Sequence, residues 1–156
     1  MNLERFTENK LKKLSLLFLL FSLNFWNGQN LKIAKNDAKL FESISLLDQY
    51  MQNNDDKIVD ILCSDVSFGH SNGWIQNLDD FKKDFSSKKV VYKEIKQLEM
   101  SEFKKHKNFA SIRRTIKVSG LYKNQKFEMK LALVEIWIKK KFIWKLWSRQ
   151  SVEIKP

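Results

Sequence analysis

Four polar side chains offer the best prospects for chemistry in this sequence: His70, Arg114, Glu135 and Arg149. A histidine can exchange a proton near neutral pH. Two arginines can bind a carboxylate or another anion through paired N–H donors, and a neighbouring glutamate can hold one of them in place. Two alternatives stay open. Arg114 and Glu135 could form a buried ion pair on adjacent strands, and His70 could anchor its own turn by hydrogen bonds.

Aromatic side chains could form the walls of a pocket around these groups. Apolar walls with a few convergent polar groups are what a small-molecule site needs, although tryptophans are also common in protein cores. We predict His70 as the candidate catalytic acid–base. The predicted ligand-binding residues are Arg114, Glu135, Arg149, Tyr92, Trp137 and Trp147.

The composition argues against a metal site, a cofactor site and a nucleophilic catalytic site. One cysteine and two histidines make a metal centre improbable and exclude an internal disulfide. Cys63 follows two apolar residues, which predicts a buried, unreactive thiol. Four glycines provide no phosphate-binding loop or dinucleotide fingerprint. Asp55 and Asp56 suit the start of a helix better than a catalytic pair. We therefore expect no metal and no cofactor.

Length and charge indicate one compact basic domain. The 156 residues suit a single domain, and a hydrophobic content of 43% is enough to bury a core. The net charge is +11, and lysines cluster at 88–89, 104–107 and 139–141. We interpret them as a solvated face that aids contact with anionic envelope surfaces. They do not alternate with aromatic residues, so we expect no nucleic-acid partner and no specific membrane partner.

The N-terminus has the pattern of an export signal. Basic residues up to Lys13 precede an apolar run over 14–26, and the short polar stretch that follows contains Gly28. The run is shorter than the roughly 20 residues of a membrane-spanning helix. We predict a cleaved signal peptide at 1–28, with an uncleaved N-terminal anchor as the alternative. The domain would then span 31–155 and act in the periplasm or outside the cell.

Hydrophobic periodicity predicts helices first and long strands afterwards. Spacings of three and four predict an amphipathic helix over 33–51, followed by short helices near 57–62 and 77–85. A hairpin is predicted between them, from Asp65 to Gln76. Four long strands should follow, at 90–103, 109–119, 127–138 and 143–154. This order predicts an α+β domain with a strongly curved antiparallel sheet.

Alternation along the late strands predicts which side chains face inward. One side of the strand at 109–119 is mostly apolar, so Arg114 should lie inside among Ala110, Ile112, Ile116 and Val118. In the last strand we place Trp147 and Arg149 together on the inner side.

The order of predicted helices and strands contains two more specific motifs. They are the segment Val66-Ser-Phe-Gly-His-Ser-Asn-Gly73 and the pair Trp137 and Trp144 on either side of a hairpin turn. Together they resemble the nuclear transport factor 2-like superfamily, most closely its SnoaL-like branch, domain of unknown function 4440. The resemblance implies a cone-shaped fold of cystatin-like topology. Three N-terminal helices would pack on the curved sheet and enclose a cavity, and Glu135 would lie on the cavity side.

The resemblance leaves the function open among several classes. The superfamily includes isomerases, dehydratases, cyclases, a kinase association domain and binding modules. Its isomerases pair an inward Asp with a Tyr, and the late strands here place no Asp inward. We expect an exported domain that binds a small polar or anionic organic molecule. Alternatives are an enzyme using His70, or an interaction module. A homodimer through the outer sheet face (Ala132, Val134, Ile136, Ile138) is also expected.

Overall fold

The computed structural model describes residues 37–155. The predicted signal peptide or anchor at 1–28, and residues 33–36 of the first predicted helix, lie outside the described residues. No helix within 37–155 is long and apolar enough to cross a membrane.

The first helix, α1, runs from Ala38 to Asn53 and agrees with the predicted amphipathic pattern. Leu40, Ile44 and Leu47 are spaced by four and three residues, and all three are buried. The helix ends where Asn54 adopts a left-handed conformation and its backbone N–H turns back to the carbonyls of the last turn. This helix supplies one wall of the core.

Two short helices follow, each begun by a side-chain cap. The second predicted helix is a 3₁₀ helix, Asp56–Ile61, and the Asp55 carboxylate accepts the backbone N–H of Lys57 at 2.9 Å. The capping role predicted for this pair is therefore confirmed for Asp55. Helix α2 spans Leu78–Ser86, and Asn77 caps it by accepting the N–H of Asp80.

Six strands form one sheet in the order β2-β1-β6-β5-β4-β3. Their bounds are β1 Leu62–Gly69, β2 Ile75–Gln76, β3 Val90–His106, β4 Phe109–Tyr122, β5 Gln125–Lys140 and β6 Ile143–Ile154. The four long strands form the predicted antiparallel meander. The sheet is not wholly antiparallel, because β1 pairs with β6 in parallel.

Curvature comes mainly from β3. The register between β3 and β4 shifts three times, after Tyr92, Gln97 and Met100. Each shift inserts an extra residue in one strand, which bends the strand and increases its twist. The sheet therefore curves around α1, and the α+β cone predicted from the sequence is confirmed.

The inner side of the sheet agrees with the alternation prediction on β4. Ala110, Ile112, Arg114, Ile116 and Val118 are all buried. The buried side chains of α1 belong to the same apolar cluster as Ile112, Trp137, Trp144 and Leu146. Cys63 is also buried in that cluster, as predicted, and burial raises the pKa of its thiol.

The predicted inner position of Trp147 is wrong. Ile136 pairs with Ser148 while Trp137 pairs with Leu146, so Trp147 is the extra residue of a bulge in β6. The bulge resets the alternation: Leu146 and Arg149 are buried, whereas Trp147 is 39% exposed. Its indole N–H donates to Asp65 at 2.9 Å.

Candidate functional site

A buried arginine between two carboxylates lies at the centre of the domain. The Arg114 side chain is 0% exposed and contacts Glu135 and Asp48. Its Nε and Nη2 donate to the two Glu135 oxygens at 3.2 and 2.9 Å. Its Nη1 and Nη2 donate to the two Asp48 oxygens at 2.5 and 2.8 Å, and Nη1 also reaches Gln97 at 3.5 Å. These five contacts match the five N–H donors of a guanidinium, so none remains for a ligand.

The fold brings these groups together from three elements. Arg114 and Glu135 are inward residues of the adjacent strands β4 and β5 and lie two residues apart in register, since Glu135 pairs with Ile112. Asp48 lies on α1, one residue after the buried Leu47. The ion pairs therefore fasten the helix to the sheet as well as one strand to the next.

Electrostatic interactions keep both Arg114 and Glu135 charged. Burial alone would raise the pKa of Glu135, but the charges of Arg114 and Arg149 outweigh burial and hold that pKa below its usual value. Burial alone would lower the pKa of Arg114, and the carboxylates of Glu135 and Asp48 instead raise it. A fully buried ion pair of this kind requires both partners, because either charge left alone would be uncompensated.

Arg149 lies beside this network but is less fully bonded. It pairs across the strands with Glu135, and its Nε lies 3.7 Å from a Glu135 oxygen. Its Nη1 contacts the sulfur of Met51 at 3.4 Å. The side chain is only 7% exposed, and no carboxylate within residues 37–155 lies closer to it. Of the two arginines predicted to bind an anion, only Arg149 has donors to spare.

Tyr92 and Trp137 lie next to the same charges. The Trp137 indole N–H donates to Glu135 at 3.3 Å, so this tryptophan is a fully buried core residue that also helps to hold the carboxylate. Burial raises the pKa of the Tyr92 hydroxyl, which the positive charge of Arg149 opposes and Asp48 reinforces.

An open cleft lies between α1 and β3, with Asp48 at its inner end. We call it the α1–β3 cleft, and its volume is about 420 Å³. Its walls combine apolar side chains with amides, hydroxyl and carboxylate, and contain no lysine or arginine. The lining residues are Phe41, Ile44, Ser45, Asp48, Gln49, Gln52, Asn53, Ile95, Gln97 and Met100. Asp48 keeps 17% of its side chain exposed here while both its oxygens bind Arg114.

His70 belongs to a different group of side chains. Its ring stacks on Trp74 with centroids 4.8 Å apart, and Nε2 lies 3.3 Å from the Gln76 amide oxygen. Gln76 in turn donates to Asp84, which pairs with Lys89. None of the hydrogen bonds of His70 within residues 37–155 involves Arg114, Glu135 or Arg149. The structure thus brings together Arg114, Glu135, Arg149, Tyr92 and Trp137, but neither His70 nor Trp147.

Sequence reasoning missed Asp48, the residue that joins the buried charges to the cleft. A signal for it exists in the helical spacing. Asp48 lies four residues after Ile44 and three before Met51, so it is the one acidic residue beside the buried face of α1. Within residues 37–155 there is no group of three side chains suited to hold a metal ion.

The lowered pKa of Glu135 determines how this residue changes the stability of the fold with pH. A carboxylate whose pKa is lower in the folded state stabilises the fold above its unfolded pKa, and this contribution is lost as the pH falls through the folded value. We expect Glu135→Gln to lose about 3–5 kcal/mol of unfolding free energy at pH 7, the usual effect of breaking a buried ion pair. Below a pH of about 4.5 its stability should depend less steeply on pH than that of the wild type.

Denaturant unfolding between pH 3 and pH 7 would measure both effects. Glu128→Gln on the same strand is the matched control, because Glu128 pairs with Lys117 on the surface. It should change stability little. A Glu135→Gln protein as stable as this control at pH 7 would contradict the assignment of a buried, charged pair.

Comparison with solved structures identifies the fold. A nuclear transport factor 2-like protein from Cytophaga hutchinsonii superposes with a TM-score of 0.71 at 16% identity, covering 78% of this chain and 99% of that one. A putative Ca/calmodulin-dependent kinase II association domain from Exiguobacterium sibiricum gives 0.72 at 13% identity, covering 81% and 99%. An uncharacterised protein with a cystatin-like fold from Caulobacter vibrioides gives 0.66 at 10% identity, covering 79% and 92%.

Sequence comparison adds no closer relative. No protein-family model and no curated protein matches the chain. The SnoaL-like branch therefore stays a prediction, while the structural similarity holds over nearly the full length of the solved proteins. The chain has the nuclear transport factor 2-like fold.

Proposed function

We propose that the domain binds a small polar organic molecule in the α1–β3 cleft. The observation that carries this proposal is Asp48, a carboxylate fixed from behind by Arg114 and partly exposed at the inner end of the cleft. A volume of about 420 Å³ lies within the range of about 300–1,000 Å³ usual for small-molecule sites. A carboxylate held by two N–H donors still has lone pairs to accept hydrogen bonds from a ligand.

The charges around the cleft favour a neutral ligand with hydroxyl or amide groups. Asp48 and Glu135 are balanced by Arg114 and Arg149, so the network carries no net charge to attract an anion. The amides of Gln49, Gln52 and Gln97 offer both donors and acceptors. The ligand expected from the sequence was polar or anionic, and the cleft supports the polar half of that expectation.

An anionic ligand remains a second candidate, supported by Arg149. Its guanidinium is nine-tenths buried, is bonded to a sulfur, and lies beyond hydrogen-bond distance from Glu135. A buried guanidinium of this kind is stabilised by a ligand carboxylate or another anion that accepts its remaining hydrogen bonds. Catalysis by His70 has less support, because its contacts with Gln76 and Trp74 are those of a turn anchor. Export of the domain is proposed only on the N-terminal sequence pattern.

A cleft-filling substitution tests the proposed ligand site. Gln49 is an exposed cleft residue of α1, so Gln49→Trp should block the cleft at little cost in stability. Glu42→Trp makes the same change at an exposed position of α1 outside the cleft. In a thermal-shift screen of polyols, sugars, amides and small carboxylates, we expect polar hits to raise the melting temperature of the wild type by a few degrees.

These hits should persist in Glu42→Trp and vanish in Gln49→Trp. A different outcome would place the site at Arg149: only carboxylates are hits, they persist in Gln49→Trp, and they are lost in Arg149→Leu. A panel without any hit on the wild type would contradict small-molecule binding of these classes.

We also propose that the domain associates through the outer face of its sheet. The outward residues of β5 are half-buried and apolar along a central strand: Ala132, Val134, Ile136 and Ile138. One solved structure of the same fold is described as a kinase association domain, which is consistent with oligomer formation. A sheet face of this kind would bury its apolar row against a second copy.

A charge in that row should produce a monomer. Val134→Lys places an ammonium at the centre of the row and should abolish association, because an unpaired charge is costly to bury. Ser86→Lys, on the exposed end of α2, is the control and should leave the mass unchanged. Light scattering after size exclusion measures the mass. An unchanged mass for Val134→Lys, or a monomeric wild type, would contradict association through this face.

A further inference from the structure

Two hairpin turns lie side by side at one end of the sheet. The turn between β3 and β4 contains Lys107 and Asn108, and the turn between β5 and β6 contains Lys141 and Phe142. They are neighbours because the N–H of Lys139 donates to the carbonyl of Asn108 at 2.7 Å. We call residues 104–109 and 139–143 the lysine-rich end.

This end presents apolar side chains to solvent at the tips of its turns. Phe142 is 79% exposed, the highest value among the exposed large hydrophobic residues of the described chain. Ile143 and Phe109 are about half exposed beside it. Lys107 and Lys141 both have positive φ angles, as is usual in tight two-residue turns, and Phe142 is the second residue of its turn.

The positive charge around these side chains is largely unpaired. Lys104 and Lys105 pair with Glu102 and Asp37. Lys107, Lys139, Lys140 and Lys141 form no salt bridge with any residue of 37–155. The segments 103–109 and 138–145 contain no aspartate or glutamate. The exposed aromatic tip thus lies at an end of the sheet that contains four lysines without a salt-bridge partner among the described residues.

The chain enters the described domain at this same end. Asp37, the first described residue, is held by Lys105 of β3. The ten residues 27–36 connect Asp37 to the apolar run at 14–26.

We propose that the lysine-rich end docks on the surface of a bilayer containing anionic lipids. Lysines near such a surface are attracted to its negative charge, and exposed aromatic side chains insert at the headgroup level. Phe142 projects from a tip, and a bilayer can accept a projecting ring without a preformed pocket. An acidic protein would need a matching recess. The sequence alone predicted a solvated face that aids contact with anionic envelope surfaces, without a specific membrane partner. The exposed aromatic tip is what the structure adds.

Vesicle binding by the full chain tests this proposal. The test variant Lys140→Gln/Lys141→Asn removes two charges from the lysine-rich end. The control Lys123→Asn/Lys126→Gln removes two from the β4–β5 hairpin at the opposite end, where Lys123 in the turn also has a positive φ. With vesicles of phosphatidylcholine and 30% phosphatidylglycerol, the test variant should bind about tenfold more weakly and the control nearly as the wild type. Phe142→Ser should weaken binding and Tyr122→Ser should not.

A position-specific probe separates this contact from binding by the apolar run. An environment-sensitive fluorophore is attached to Phe142→Cys or, as the control, to Tyr122→Cys, while the native Cys63 is buried. Anionic vesicles should shift the emission to the blue only at position 142, and added salt should reduce binding. Equal losses in both double variants, or no shift at position 142, would overturn the proposal. Binding to an acidic peptide or an RNA oligonucleotide, but not to vesicles, would also overturn it.

Discussion

The arrangement of this domain depends on one buried charge. Arg114 lies on the inner side of the sheet, where an unpaired guanidinium would be very costly. Asp48 from α1 and Glu135 from β5 accept four of its hydrogen bonds, and Gln97 from β3 accepts the fifth. The helix must therefore lie where Asp48 reaches the arginine. The same contacts fix two further features, because they set the inner end of the α1–β3 cleft and hold Glu135 opposite Arg149.

The contacts of Arg114 divide the charged residues around it into two groups, those that hold the fold and those that can still bind a ligand. Arg114 and Trp137 both donate to Glu135, which leaves these three side chains little capacity for a ligand. Asp48 and Arg149 each keep part of their bonding capacity, Asp48 toward the cleft and Arg149 at the edge of the network. Recognition by such a site rests on hydrogen bonds more than on net charge, because the four charges cancel. The excess basic charge of the chain lies on lysines outside this network.

The sequence predicted those features that depend on local periodicity. The face of α1 and the inner row on β4 follow from spacings of three, four and two residues, and the cap at Asp55 follows from its residue type. Trp147 was misplaced because a bulge in β6 breaks the alternation, and no residue type marks that bulge. The parallel pairing of β1 with β6 and the contact of Asp48 with Arg114 join residues that are distant in the chain. Periodicity carries no information about such partners.

The central claim is that Arg114 couples α1 to the sheet through Asp48, and a double-mutant cycle tests it most directly. Asp48→Asn and Arg114→Lys each weaken the paired hydrogen bonds, and the lysine keeps the buried positive charge beside Glu135. Unfolding free energies of the wild type, both single variants and the double variant would give the coupling. The account predicts a coupling energy of about 1–3 kcal/mol. A value below about 0.5 kcal/mol, the limit for independent sites, would contradict it.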